Sequence, residues 1–244
     1  VTHAGAENST ARREELAANL AEVRARIERA CAAADRDPAG VTLVAVSKTW
    51  PVDDAVLLAE LGVTHLAENR DQEASTKVGK FREMRPDLRV RWHMVGSLQR
   101  NKAKSAVRWA DIVETVDSDR LAQALAKAAA GRPEPLDVLI QVSLDGDPAR
   151  GGCPVDDLGR LADTIAEQRD LRLAGLMAVA PLGWEPTRAF DLLAGAAGPI
   201  RSAHRTAVTL SAGMSGDLEH AIAHGSTSVR VGTALFGGRR LASD

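Results

Sequence analysis

The 244 residues carry 31 Lys+Arg against 33 Asp+Glu, a net charge of −2, with 45% hydrophobic and 26% charged residues. That balance belongs to an ordinary globular chain, and it excludes a disordered one and wholesale electrostatic capture of nucleic acid. No apolar run approaches the roughly 18 residues that a bilayer span needs, and the few aromatics include no Tyr at all.

The opening, VTHAGAENSTARREEL, is polar and has no apolar h-region, so no signal peptide is expected. Over residues 9–34, Leu16, Leu20, Val23, Ile27 and Cys31 recur at helical spacing and predict an amphipathic helix. Ser9 or Thr10 is the expected cap, and Pro38 and Gly40 end the segment. Residues 41–46, VTLVAV, then read as a short strand that is apolar on both faces. Similar runs begin near Val63, Val90, Ile112, Val138, Leu173, Val208 and Val229. Amphipathic stretches at 51–61, 119–130, 155–169, 185–202 and 216–224 lie between them. Strand–helix alternation with short connections means parallel βαβ units. Eight of them in about 250 residues predict an α/β fold, a (β/α)8 TIM-type barrel with an extra N-terminal helix. An open doubly wound sheet is the alternative, but no GxGxxG follows the first strand. No linker divides the chain, so residues 1–244 are expected to form one domain. Cys31 and Cys153 lie far apart and are expected as reduced thiols in a cytoplasm.

Barrel sites lie at the C-terminal ends of the strands, which directs attention to the residues after each apolar run. Lys48 follows the first run directly. Desolvation there would favour a neutral amine, the nucleophile for a Schiff base; a solvated lysine at a strand end is the competing reading. The segment 211–217, SAGMSGD, and the following VRVGT close the barrel, where phosphates commonly bind. Gly213, Gly216 and Gly232 permit close backbone approach, and Ser215 or Asp217 also suits a helix cap. His220 and His224 have the spacing of a zinc pair but lack the HExxH glutamate and a third ligand, so no metal is expected. Arg100, Lys102, Lys104 and Arg108 near Trp109 read as a solvated face rather than a nucleic-acid site. Cys153 is expected in a loop, and no Cys–His nucleophile can be argued from it.

The blocks VAVSKTWP, AENR, WHMVGSLQRNK, GLMAVAP and LSAGMSGDLEHAIAHGSTSVRVGTALFG, in this order from about residue 10 to residue 239, resemble the pyridoxal phosphate homeostasis proteins. The resemblance implies the PLP-binding barrel related to the N-terminal domain of alanine racemases. It implies that Lys48 carries pyridoxal 5'-phosphate (PLP) as a Schiff base and that Arg230 faces the pyridine nitrogen. Ser215, Gly232 and Thr233 would bind the phosphate with Ser211 and Met214 nearby, and Asn69 and Met177 would line the site. His93 would stand near the mouth. The sequence departs from the family pattern at Arg70, where many relatives have an aromatic, and after Phe236–Arg239, where an aromatic often follows.

PLP needs an amine, a phosphate cradle and a partner for its ring nitrogen. A guanidinium cannot give up its proton, so Arg230 would keep that nitrogen unprotonated and the ring a weak electron sink. The family suggests a PLP carrier or regulator of vitamin B6 and amino-acid balance without robust turnover. Its expected partners are PLP and possible recipients, apo PLP-enzymes or amino acids, with no nucleic acid, no membrane and a monomeric state. A racemase is the alternative; it needs an acid/base on each face of the substrate. In related racemases the second base is a Tyr from a domain that this chain is too short to hold. His93 or Cys153 would have to replace it. A sugar- or phosphate-handling barrel enzyme rests on the fold alone.

Overall fold

The structure is a computed structural model that describes residues 2–238, with side chains from Ser9 onward. Arg239 of the C-terminal motif lies outside the described residues. Helix α1 (Thr2–Ala33) is followed by β1 (Thr42–Val46), α2 (Val52–Glu60), β2 (His65–Glu68), α3 (Asp71–Met84), β3 (Arg91–Met94), α4 (Ala103–Ala106) and β4 (Ile112–Val116). Then come α5 (Asp119–Ala129), β5 (Leu136–Ser143), the two-residue β6 (Cys153–Pro154), α6 (Leu158–Ala166) and β7 (Leu171–Met177). The described chain ends with α7 (Pro186–Ala203), β8 (Thr209–Ser211), α8 (Leu218–Ala223), β9 (Ser228–Val231) and α9 (Thr233–Phe236).

All strand pairings are parallel. β1 pairs with both β2 and β9, and the β4–β5 pairing closes the ring, so eight strands form a (β/α)8 barrel with β6 as an appendage on β5. The predicted strands begin within two residues of the observed ones, because a strand buried on both faces is apolar throughout. Ser9 and Thr10 do not cap α1; the helix begins at Thr2 and runs through both. Its stripe of Leu16, Leu20, Val23, Ile27 and Cys31 is fully buried against α2, α8 and α9.

The main apolar core lies between the sheet and the helices. Inside the barrel, alternate residues make two separate apolar groups, Val44–Val46–Ala67 and Ile112–Leu139–Met177. The other inward positions are polar, which leaves room for the buried groups described below. At the N-terminal mouth, Asp137 of β5 accepts from Arg91 (2.6 Å) and from both nitrogens of the Arg172 fork (2.5 and 2.7 Å). Burial opposes its charge, but the two arginines hold its carboxyl below the ordinary Asp value of 3.8. A depressed folded pKa contributes stability above the unfolded value, and that stability is lost as pH falls through the folded value. Asp137→Asn should therefore cost about 1 kcal/mol at neutral pH, with half-exposed arginines limiting the loss. Thermal unfolding at pH 7 and below pH 4 checks this: the gap to wild type should shrink in acid.

Candidate functional site

Strand β1 delivers the chain to the C-terminal mouth at Val46, and Ser47 extends the ladder by donating to the Ala67 carbonyl (3.0 Å). A tight turn follows, closed by Trp50 N–H donating to the Ser47 carbonyl (3.1 Å). Lys48 and Thr49 are its central residues. Thr49 has φ +67°, the left-handed conformation that this turn position demands and that a β-branched residue resists. Lys48 is exposed on the rim, not desolvated, because the chain leaves the strand one residue earlier.

The turn is held from beneath. Ser47 Oγ donates to Glu68 Oε1 (2.6 Å), and Lys77 Nζ of α3 donates both to that oxygen (2.5 Å) and to the Ser47 carbonyl (2.7 Å). Glu68 is completely buried, so this ion pair is shielded from water. Asn69 follows at the end of β2. A Cβ on Gly96 would stand 1.9 Å from the Asn69 carbonyl oxygen, so only glycine lets these two strand ends approach. Glu68 Oε2 and Asn69 Oδ1 are buried acceptors with no protein donor among the described residues. A cleft of about 780 Å³ opens beside Asn69, lined also by Arg70, Met94, Ser97 and Leu98. Arg70, where the family pattern is broken, is exposed and pairs with Glu73 at 2.9 Å.

Arg230 projects into the barrel from β9. Its Nη1 donates to Ser211 Oγ of β8 (2.5 Å) and its Nη2 to the Ala178 carbonyl beyond β7 (2.8 Å). Ser211 Oγ donates in turn to Glu114 Oε2 of β4 (2.6 Å), which lies 3.6 Å from Arg230 Nη1. The other Glu114 oxygen meets His93 Nδ1 of β3 at 2.6 Å, and His93 Nε2 meets His65 Nδ1 of β2 at 2.8 Å. Burial raises the Glu114 pKa, but His93, Arg230 and Ser211 outweigh it and hold the carboxyl below its ordinary value. Burial lowers the Arg230 pKa while Glu114 and Asp217 push it back up; a guanidinium remains charged regardless. Burial, together with His93 and Arg91, lowers the His65 pKa to about 4, so this ring is neutral at pH 7.

The loop after β8 contains Gly213 at φ +92°, where a Cβ would also strike Ala221, 2.6 Å away. Packing against α8 therefore explains this glycine. The open space around Gly216 and the loose fit of Gly232 against Val46 show no such constraint. Met214 N–H donates to Asp217 Oδ1 (2.6 Å), and Ser215 Oγ accepts from Ala234 N–H (3.3 Å), which ties this loop to α9. Met214 and Thr233 are exposed at the rim. Met177 is buried in the inward apolar group with Ile112 and Leu139.

His93 does not stand at the mouth. It is buried within the barrel, with both ring nitrogens engaged by Glu114 and His65. Cys153 is buried on β6, and burial pushes its thiol up to about 11. His224 Nδ1 meets the His220 carbonyl at 2.6 Å and its Nε2 lies 3.2 Å from Asp191, so it is occupied locally. Trp109 is buried, with Nε1 donating to Asp71 (2.9 Å), and offers no stacking face beside the basic residues. Among the described residues no helix is long and apolar enough to cross a membrane.

Sequence reasoning missed Glu114, His65, Glu68 and Lys77. A carboxylate at the centre of IVETV was the available signal, since a charge within a buried strand requires partners.

The model of the alanine racemase N-terminal domain matches residues 13–240. A pyridoxal phosphate homeostasis protein of Mycobacterium leprae is 43% identical, covering 95% of this chain and 96% of that one. The Escherichia coli K12 protein of the same name is 37% identical, covering 92% and 97%. Among solved structures, PipY of Synechococcus elongatus PCC7942 with PLP bound superposes with a TM-score of 0.78 at 33% identity, covering 91% and 100%. The chain belongs to the alanine racemase N-terminal domain family and, within it, to the pyridoxal phosphate homeostasis proteins.

Proposed function

We propose that the protein binds PLP at the C-terminal mouth of the barrel and serves intracellular PLP and amino-acid homeostasis without robust turnover of its own. The observation that carries this reading is Arg230: a buried guanidinium, fixed by Ser211, the Ala178 carbonyl and Glu114, in the barrel of a chain whose Lys48 stands on the mouth above it. The register supports the layering. Arg230 lies level with Val44, β1 ends two residues further on at Val46, and Lys48 stands in the turn beyond that end. In this reading the ring lies between the amine on the mouth and the cation within the barrel.

The residues present fit the group. Asn69 Oδ1, a buried acceptor without a protein donor among the described residues, has the property expected of a side chain that meets a donor on a bound molecule. PLP supplies an aldehyde and an electron-withdrawing ring. In the proposed attachment, Lys48 Nζ forms a C=N bond with the aldehyde carbon, and the carbonyl oxygen leaves as water. Ser215, Gly232 and Thr233 hold the phosphate with Met214 nearby, Ser211 acts beneath them on Arg230, and Asn69 and Met177 line the remainder. His93 serves from within the barrel, through Glu114, and makes no rim contact in this reading. A cytoplasmic, monomeric single-domain protein is part of the same proposal. Its buried thiols suit a reducing compartment. Apo PLP-enzymes and free amino acids are the proposed recipients.

The racemase reading loses its substitutes for the missing Tyr. His93 has no free ring nitrogen, and Cys153 is a buried thiol with its pKa near 11. Alanine racemisation by PLP-loaded protein should stay near background; turnover at ordinary enzyme rates, roughly 1–10³ s⁻¹, would overturn the carrier reading. A direct test of function follows PLP transfer: loaded protein should restore activity to an apo PLP-enzyme faster than the same total PLP released by denaturation. Failure to bind PLP at all would refute the proposal.

A further inference from the structure

The interior of this barrel holds a continuous polar column: Arg230, Ser211, Glu114, His93 and His65, each joined to the next by a contact of 2.5–2.8 Å. It crosses from β9 through β8 and β4 to β3 and β2. At its lower end it meets a cavity of about 350 Å³ at the N-terminal mouth, lined by His65, His93, Glu114, Arg91 and Asp137. Glu114 is the centre of the column. It is the acceptor of two different donors, one on each oxygen, and its carboxylate is completely shielded from water.

Such a group is costly to bury, and a fold retains it only where hydrogen bonds and opposite charge offset that cost. A simple apolar side chain at 114 would match Ile112, its inward neighbour on the same strand. Its partners reveal what the carboxylate does instead. Ser211 Oγ can accept from Arg230 only because Glu114 takes the Ser211 proton; this fixes the hydroxyl's direction. The same carboxylate, 3.6 Å from Nη1, neutralises part of the guanidinium charge. On the other side, His93 Nδ1–H must point at Glu114, which leaves His93 Nε2 to His65. That last link has two proton arrangements. Either His65 Nδ1–H donates to a neutral His93, or a protonated His93 donates to His65.

We propose that Glu114 is the positioning residue of the cofactor site, orienting Ser211 and Arg230 and setting the charge that Arg230 presents to a bound ring, with His93 and His65 holding it from below. This rests on the PLP reading given above. The charged and titratable groups around the column are Arg91 and Asp137 at the lower mouth, Arg172 paired to Asp137, and Asp217 near Arg230. Arg91 and Arg172 share the single carboxylate of Asp137, and Glu114 is the anion that stands 3.6 Å from Arg230 within the barrel.

The test compares wild type with Glu114→Gln, an isosteric change that removes the charge. PLP affinity is read by absorbance titration and the bound-cofactor band is followed from pH 5 to 9, with folding checked by circular dichroism and thermal unfolding. Removing an anion disfavours nearby protonated groups. The pH midpoint of the band should therefore fall by about one unit, and the Kd should rise roughly tenfold. Glu114→Asp keeps the charge on a shorter stem: its midpoint should stay near wild type while its Kd rises at least about threefold, and it carries the test if Glu114→Gln does not fold. A folded Glu114→Gln with wild-type Kd, or with a weaker Kd but an unmoved midpoint, would overturn the proposal, as would a Glu114→Asp with wild-type Kd. Wild-type protein that does not bind PLP would instead refute the underlying reading.

Discussion

Lys48→Ala should abolish covalent retention of PLP. After borohydride reduction and denaturation, wild type should keep one PLP per chain and the variant none, a complete loss. The side chain is exposed, so its removal opens no cavity and the fold should remain at wild-type stability within about 0.5 kcal/mol. The turn that carries it is set by Ser47, Glu68 and Lys77, all of which the substitution leaves in place. Residual reversible binding is expected, because Arg230 and the residues about Ser215 are untouched. Equal labelling of the variant would place the covalent site on another lysine.

Arg230→Ala should be the most destabilising single change. It deletes the cation beside Glu114, takes the side-chain donor from the Ala178 carbonyl and leaves Ser211 Oγ with its bond to Glu114 but without its donor. Breaking a buried pair from one side costs about 3–5 kcal/mol, since the remaining charge stays buried. The sign of the pH effect follows from Glu114. In wild type its depressed pKa contributes stability above the unfolded carboxylate value, lost as pH falls through the folded value. Without Arg230, only His93 and Ser211 oppose burial and the folded pKa rises, so protonation relieves the variant as pH falls. Denaturant unfolding at pH 7 and pH 5 should show the gap to wild type narrowing in acid. A gap independent of pH would mean that Glu114 is compensated without Arg230.

The barrel was legible because short apolar runs mark its strands and helices interrupt them at regular intervals. Helix α3 was not, since Ala74, Val78 and Phe81 form a stripe only one residue wide on an otherwise charged segment. The short helices α4 and α9 carry too few residues for a period to register. At the site, Lys48 could be singled out from its place just beyond an apolar run, and Arg230, inside β9, through the family resemblance. The groups that hold them were hidden for opposite reasons. Glu114 sits inside a strand and looks like an exception to it, while Lys77 is one of many charges on a helix and becomes special only because α3 packs it over Ser47. Position along a strand can be read from alternation; partners across the barrel cannot, because Ser211 and Glu114 are 97 residues apart. His93 shows the same limit: its motif points to the site, but inward alternation places it beneath the mouth with Glu114.

The most direct measurement is borohydride reduction of protein incubated with PLP, followed by digestion and mass mapping. A single phosphopyridoxyl adduct on the peptide containing Lys48, accompanied by loss of the visible band, is the predicted result. A colourless, unmodified chain, or an adduct spread over surface lysines with Lys48 unlabelled, would contradict it.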